Sequence, residues 1–202
     1  MNTEEREIKF FVQDLDILAE RLRVCGADLV HSRVLERNLR LDTSDHSLEK
    51  EGRLLRLRQD DRVRVTYKDN ARIDDGVITR TEIEFVADDF DVVRKLFEAL
   101  GYQGVVVYEK YRREFRLGDV QVMLDELPFG DFIEIEAPNN TLIEGVAQML
   151  GLNWSCAIGT NYLGLFESLK GKSDLKFNDL TFENFQGIEI SPEDLDVKPA
   201  DA

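Results

Sequence analysis

Residues 3–12 read T-E-E-R-E-I-K-F-F-V. In a strand, successive side chains alternate between faces. Glu5, Glu7 and Lys9 then share one face, and Ile8 and Phe10 share the other. An ordinary half-buried strand turns such charges to water, whereas a strand of a closed sheet can turn them into a lumen. The other strands have to decide between these two.

The same alternation recurs along the chain. R-L-L-R-L-R-Q at 53–59 sets Arg56 and Arg58 against Leu55 and Leu57. R-V-R-V-T-Y-K at 62–68 puts Arg64, Thr66 and Lys68 opposite Val63, Val65 and Tyr67. Residues 77–86 group Arg80, Glu82 and Glu84 opposite Ile83 and Phe85. Residues 104–117 carry Lys110 and Arg112, residues 119–127 carry Asp125, and F-I-E-I-E-A at 132–137 sets Glu134 and Glu136 against Ile133 and Ile135. Residues 30–42 read as a further strand, 43–52 as a loop, and D-N-A-R-I-D-D-G at 69–76 as turn chemistry. Helices are expected after Asp14, after Asp88 or Asp89, after Asn140 or Thr141, and within 159–172, with Gly26, Gly101 and Gly151 closing the first three.

Two architectures satisfy this pattern. A sheet can pack its apolar face under helices and leave its charged face in water. Alternatively it can close into a barrel with helices outside and a charged tunnel inside. Charge across a lumen is costly unless paired or bound. Seven acids and seven bases would line such a tunnel: Glu5, Glu7, Glu82, Glu84, Asp125, Glu134 and Glu136 with Lys9, Arg56, Arg58, Lys68, Arg80, Lys110 and Arg112. Clustered glutamates suit hard divalent cations, and arginine and lysine suit phosphate oxygens. A metal-bound polyphosphate satisfies both sets.

The 202 residues suit one domain with a short appendage, and 43% hydrophobic content suffices for a core. A net charge of −15 argues against nucleic-acid polymers and anionic membranes as partners. The chain shows no transmembrane run and no signal-peptide layout, so a cytoplasmic location is expected. Cys25 and Cys156 form no metal-binding spacing and read as small core residues, and His31 and His46 read as lone surface or core histidines. Residues 173–202 hold eight acids and two bases. Their distal part, S-P-E-D-L-D-V-K-P-A-D-A, has the composition of a disordered tail, while Phe177, Leu180, Phe182 and Phe185 could dock on the domain.

The ordered series E-R-E-I-K, L-R-L-R (55–58), V-T-Y-K, R-T-E-I-E (80–84), E-K-Y-R (109–112), V-M-L-D-E-L (122–127) and G-D-F-I-E-I-E (130–136) resembles the CYTH domain, or triphosphate tunnel metalloenzyme, family over residues 4–170. The resemblance implies an α+β fold: an eight-stranded antiparallel barrel forming a charged tunnel, with helices outside, over residues 1–172. It implies Mg²⁺ or Mn²⁺ on Glu5, Glu7, Glu134 and Glu136. It implies a triphosphate gripped by Lys9, Arg56, Arg58, Lys68, Lys110 and Arg112, with Arg80, Glu82, Glu84 and Asp125 completing the lining. Catalytic roles then fall to Glu5, Glu7 and Lys9, acting on a triphosphate-bearing small molecule in a monomer or homodimer. A metal-dependent triphosphatase is the favoured activity, a class IV adenylyl cyclase the alternative, and a polyphosphate-binding module the non-catalytic reading. Asn161 stands where members of this family have serine or lysine, which leaves the subgroup open.

Overall fold

The computed structural model describes residues 4–202. Its strands are β1 (Glu4–Val12), β2 (Asp28–Asp42), β3 (Leu54–Gln59), β4 (Val63–Asp74), β5 (Val77–Ala87), β6 (Gln103–Leu117), β7 (Val120–Leu127) and β8 (Gly130–Glu136). The helices are α1 (Leu15–Val24), α2 (Ser47–Lys50), α3 (Phe90–Ala99), α4 (Asn140–Met149) and α5 (Tyr162–Lys172). All strand pairs are antiparallel, in the order β1-β5-β4-β3-β2-β6-β7-β8. β1 closes the ring, with Glu5 opposite Arg80 of β5 on one side and Glu7 opposite Glu136 of β8 on the other.

Closure turns the period-two pattern into an inside and an outside. The outward residues Ile8, Phe10, Val122, Leu124, Ile133 and Ile135 are buried beneath α1 and α4. α1 contributes Leu15, Leu18 and Leu22, and its first turn is capped by Asp14, whose Oδ1 accepts from the N–H groups of Asp16 and Ile17. α4 contributes Ile143, Val146 and Ala147 and is capped by Asn139. Fully burying each such side chain contributes on the order of 1.5–3 kcal/mol. The cladding therefore fixes which face of every strand is left for the lumen. α2 and α3 cover the outer face of β3 and β4 in the same way, over Leu55, Leu57, Val63 and Val65.

The structure departs from the sequence reading in three places. β4 does not end at Lys68: a bulge between Asp69 and Arg72, with Asn70 in the left-handed region at φ 55°, lets it run on to Asp74. The turn is confined to Asp75 and Gly76, both at positive φ. The stretch 43–52 contains the single helical turn α2, because the Asp42 carboxylate accepts from the N–H groups of Leu48 and Glu49. Residues 191–202, expected to be disordered, pack on the barrel. Leu195 joins the cluster of Phe129, Phe132, Phe166, Leu180 and Phe185, and the Ala200 N–H donates to the Phe11 carbonyl. A few apolar side chains anchor the segment, and nearly all of its acidic residues stay at the surface.

Candidate active site

The lumen is a cavity of about 440 Å³ lined by inward side chains from all eight strands, together with Asn161, Tyr162 and Leu163 at the start of α5. Thirteen of the fourteen residues expected at the site line it; Asp125 does not. Asp125 is completely buried on the inward face of β7, where it accepts from Lys110 Nζ at 2.8 Å, from Arg112 at 2.6 Å and from the Tyr162 hydroxyl at 2.8 Å. It aims the two cations and is itself closed off from the open cavity.

The charges segregate into two poles. At one, Glu5, Glu7, Glu82 and Glu136 face Lys68 and Arg80. Lys68 Nζ lies 2.7 Å from Glu5 and 3.2 Å from Glu82, and Arg80 bonds Glu5 at 3.1 Å and also Glu7. Burial alone would raise the Glu5 carboxyl, but Lys68 and Arg80 bring it down to about 2. Among the described residues Glu136 has no ion-pair partner. Burial, then Glu5, push its carboxyl up to about 8, with Glu7 and Glu82 adding to the shift and Lys68 opposing it.

At the other pole, Arg56, Arg58, Lys110 and Arg112 crowd around Glu36, and Lys9 pairs with Glu134 at 2.9 Å. Glu134 also pairs with Arg112. Burial works against the Glu134 charge, yet Lys9, Lys110 and Arg112 hold it well below the usual carboxylate range. Arg56 donates to Thr66 Oγ1 at 3.1 Å and to the Tyr108 hydroxyl at 3.3 Å, and its Nε has no partner. Glu84 sits at the rim, 3.9 Å from Arg56 and 4.0 Å from Arg64. Arg113 points outward as its strand position requires and pairs with Asp16 of α1.

The sequence reading missed Glu36, Asn38 and Tyr108. Tyr108 follows from carrying the Lys110 and Arg112 pattern two residues back. Glu36 and Asn38 share an inward face of β2, but the outward residues there are Leu35, Arg37 and Leu39, and that mixed face hides the alternation.

The four glutamates expected to hold cations differ in readiness. Glu5, Glu7 and Glu134 are held by basic side chains, whereas Glu136 is a carboxylate short of positive charge among three others. Hard oxygen donors with a deficit of positive charge are the chemistry that divalent cations take, so the acidic pole suits one by donor type. Among the described residues the three acidic or histidine side chains whose ligand atoms already lie close enough together to share an ion are a different set, Asp42 with His46 and Glu49, outside the lumen. There Asp42 is already engaged by the N–H groups of Thr43, Leu48 and Glu49.

The sequence model of the CYTH domain matches residues 3–145. The chain belongs to the CYTH family. A Methanocaldococcus jannaschii protein named "putative adenylate cyclase" is 29% identical over 134 residues, which are 65% of this chain and 75% of that protein. Among solved CYTH-like structures, an adenylate-cyclase-named protein of Vibrio parahaemolyticus superposes with a TM-score of 0.73 at 19% identity, over 83% of this chain and 99% of the other. An adenylyl-cyclase-named Hippeastrum protein, described as having a dominant triphosphatase activity, superposes with a TM-score of 0.62 at 18% identity, over 81% and 95%. At these identities the structural likenesses carry the fold alone. Among the described residues no helix is long and apolar enough to cross a membrane.

Proposed function

We propose that this CYTH protein is a divalent-metal-dependent triphosphatase. The observation that carries this reading is the lumen's division into an acidic pole short of cations and a basic pole rich in them, both inside one closed ring. A triphosphate–metal complex has the complementary division. Mg²⁺ or Mn²⁺ bound through Glu5, Glu7 and Glu136 of the acidic pole, with Glu134 drawn away from its basic partners Lys9 and Arg112, would neutralise phosphate charge and lower the pKa of a bound water.

The chain's own residues do the rest. Arg56, Arg58, Lys110 and Arg112 grip phosphate oxygens, and the partnerless Arg56 Nε is a donor in reserve. Asp125 holds Lys110 and Arg112 in fixed directions, so little reorganisation is needed when the substrate enters. The water oxygen bonds to the terminal phosphorus as the bond to the bridging oxygen breaks, and Lys9 stabilises the charge left on the departing diphosphate. Lys9 is suited to this: burial works against its charge, but Glu134 and Glu7 raise its pKa and keep it protonated.

The names of the relatives favour a second reading, in which ATP is cyclised to cyclic AMP and pyrophosphate. The lining supports a substrate dominated by its phosphates, since apart from Val34, Leu54, Met123, Leu163 and the rings of His31, Tyr108 and Tyr162 it is charged or polar, and such a lining serves either chemistry. One assay separates the readings. Tripolyphosphate, thiamine triphosphate and ATP are each supplied with Mg²⁺ and, separately, Mn²⁺. Orthophosphate without cyclic AMP is the expected result. Cyclic AMP with matching pyrophosphate would install the cyclase, and metal-dependent binding without turnover would leave a polyphosphate-binding module.

A further inference from the structure

Glu36 has no role in the reading above, yet it occupies the centre of the basic pole. The residue is 2% exposed. Oε1 accepts from Arg58 Nη1 at 3.0 Å and lies 4.0 Å from Arg112 Nε, and Oε2 lies 3.7 Å from Lys110 Nζ with no hydrogen bond of its own. Two residues on, Asn38 accepts from Arg58 Nε at 3.0 Å. β2 therefore holds Arg58 by two different N–H groups, one partner charged and one neutral.

Without Glu36, the guanidinium groups of Arg56, Arg58 and Arg112 would repel one another in a lumen of low polarisability. Burial and Arg56 already depress the Arg58 pKa, with Glu36 the attraction that opposes them. A cradle left with only Asp125 and Glu134 buried against its five cations would also hold product more firmly, and binding that does not discriminate the transition state does not accelerate turnover.

We propose that Glu36 is a positioning residue: a fixed internal anion that holds Arg58 in place with Asn38 and offsets the charge of the cradle, so that the shorter phosphate product is released. This rests on the triphosphatase reading. Two variants pull its halves apart. Glu36→Gln keeps an acceptor for Arg58 and removes the charge. Asn38→Ala keeps the charge and removes the second hold.

Calorimetric titration of the full chain with pyrophosphate and with tripolyphosphate, without metal, is the test, alongside kcat and KM on tripolyphosphate. Glu36→Gln is expected to bind pyrophosphate about tenfold tighter, with kcat and KM falling together. Asn38→Ala is expected to move KM upward. If Glu36→Gln folds poorly, tripolyphosphate should restore it, with a larger rise in Tm than in the wild type, because the ligand replaces the missing anion. Pyrophosphate binding that is unchanged or weaker in Glu36→Gln, or failure of tripolyphosphate to restore its fold, overturns the proposal. A wild-type chain that binds no tripolyphosphate would instead overturn the triphosphate reading beneath it.

Discussion

The two poles of the lumen are built from the same residue types on the same kind of strand, yet they are balanced differently. At the acidic pole four carboxylates face the two cations Lys68 and Arg80, and Glu136 is left with no ion-pair partner among the described residues. At the basic pole Lys9, Arg56, Arg58, Lys110 and Arg112 face three buried carboxylates, Glu36, Asp125 and Glu134, with Glu84 at the rim 3.9 Å from Arg56. A barrel filled only for stability would pair its charges evenly, since a buried charge without a partner is costly. Ion pairs alone therefore do not explain the lumen, and the direction of each imbalance names the ligand part that belongs there.

The largest effect expected from breaking this division is on chemistry. Glu7→Gln keeps the shape of the acidic pole and an acceptor for Arg80 while removing a charge. It should lower kcat by about a hundredfold or more with circular dichroism unchanged. Turnover at the wild-type rate would remove Glu7 from the proposed cation site.

The next effect is on stability and belongs to the basic pole. Asp125→Asn leaves two cations and a buried tyrosine hydroxyl around a neutral amide. A loss of about 3 kcal/mol is expected in urea unfolding. A loss below about 1 kcal/mol would mean that Lys110 and Arg112 find other partners, Glu36 and Glu134 being the nearest.

A carboxylate on the outer wall sharpens the contrast. Asp131 of β8 lies opposite Glu126 of β7, with Asp14 and Asp16 nearby and Arg113 as its one attraction. Burial and Glu126 push its carboxyl up to about 6, from 3.8. A carboxyl raised on folding favours the protonated fold, so it imposes a penalty that grows as pH rises from about 4 to about 6 and is absent below that window. Asp131→Asn should therefore stabilise the chain at pH 7, by about 1 kcal/mol once solvent screening is allowed for, and leave stability at pH 3.5 unchanged. Melting curves at the two pH values check it; an equal gain at both would exclude the charge as the cause.

Much of this was legible in the sequence because the strands that carry the site alternate cleanly. E-R-E-I-K sets Glu5, Glu7 and Lys9 on one face, with Arg6 the exception beside Ile8, and I-E-I-E sets Glu134 and Glu136 against Ile133 and Ile135; helix packing on the apolar faces then leaves only one inside. Legibility failed where a second face was also charged. On β2, Arg37 breaks the outward apolar row, so Glu36 could not be told from a solvated glutamate. It failed again in the tail, where composition counts acids without knowing that Leu180 and Leu195 meet Phe166 and Phe185. Asn70 is a third case: an asparagine among turn residues reads as a turn, and only pairing across a bulge shows that the strand continues.

The smallest effect is expected at the second acidic cluster, and it tests where the ion belongs. His46 lies 3.4 Å from Glu49, beside Asp42, so the cluster has the composition of a cation site. Its geometry serves another purpose. The Asp42 oxygens accept from the Leu48 and Glu49 N–H groups that open α2 and from the Thr43 N–H before it, so its lone pairs are spent on holding a single helical turn over β3. His46 sits ahead of that turn at φ 57°, a left-handed conformation that costs a side-chain-bearing residue about 1 kcal/mol. Its side chain makes no capping bond to offset this. His46→Gly should thus leave kcat and the metal dependence of turnover within about twofold of the wild type and change stability by no more than about 1 kcal/mol, relief of the strained φ being partly offset by the freedom that glycine adds to the unfolded chain. A shifted metal requirement in this variant would move the ion out of the lumen, and the two-pole reading would lose its acidic half.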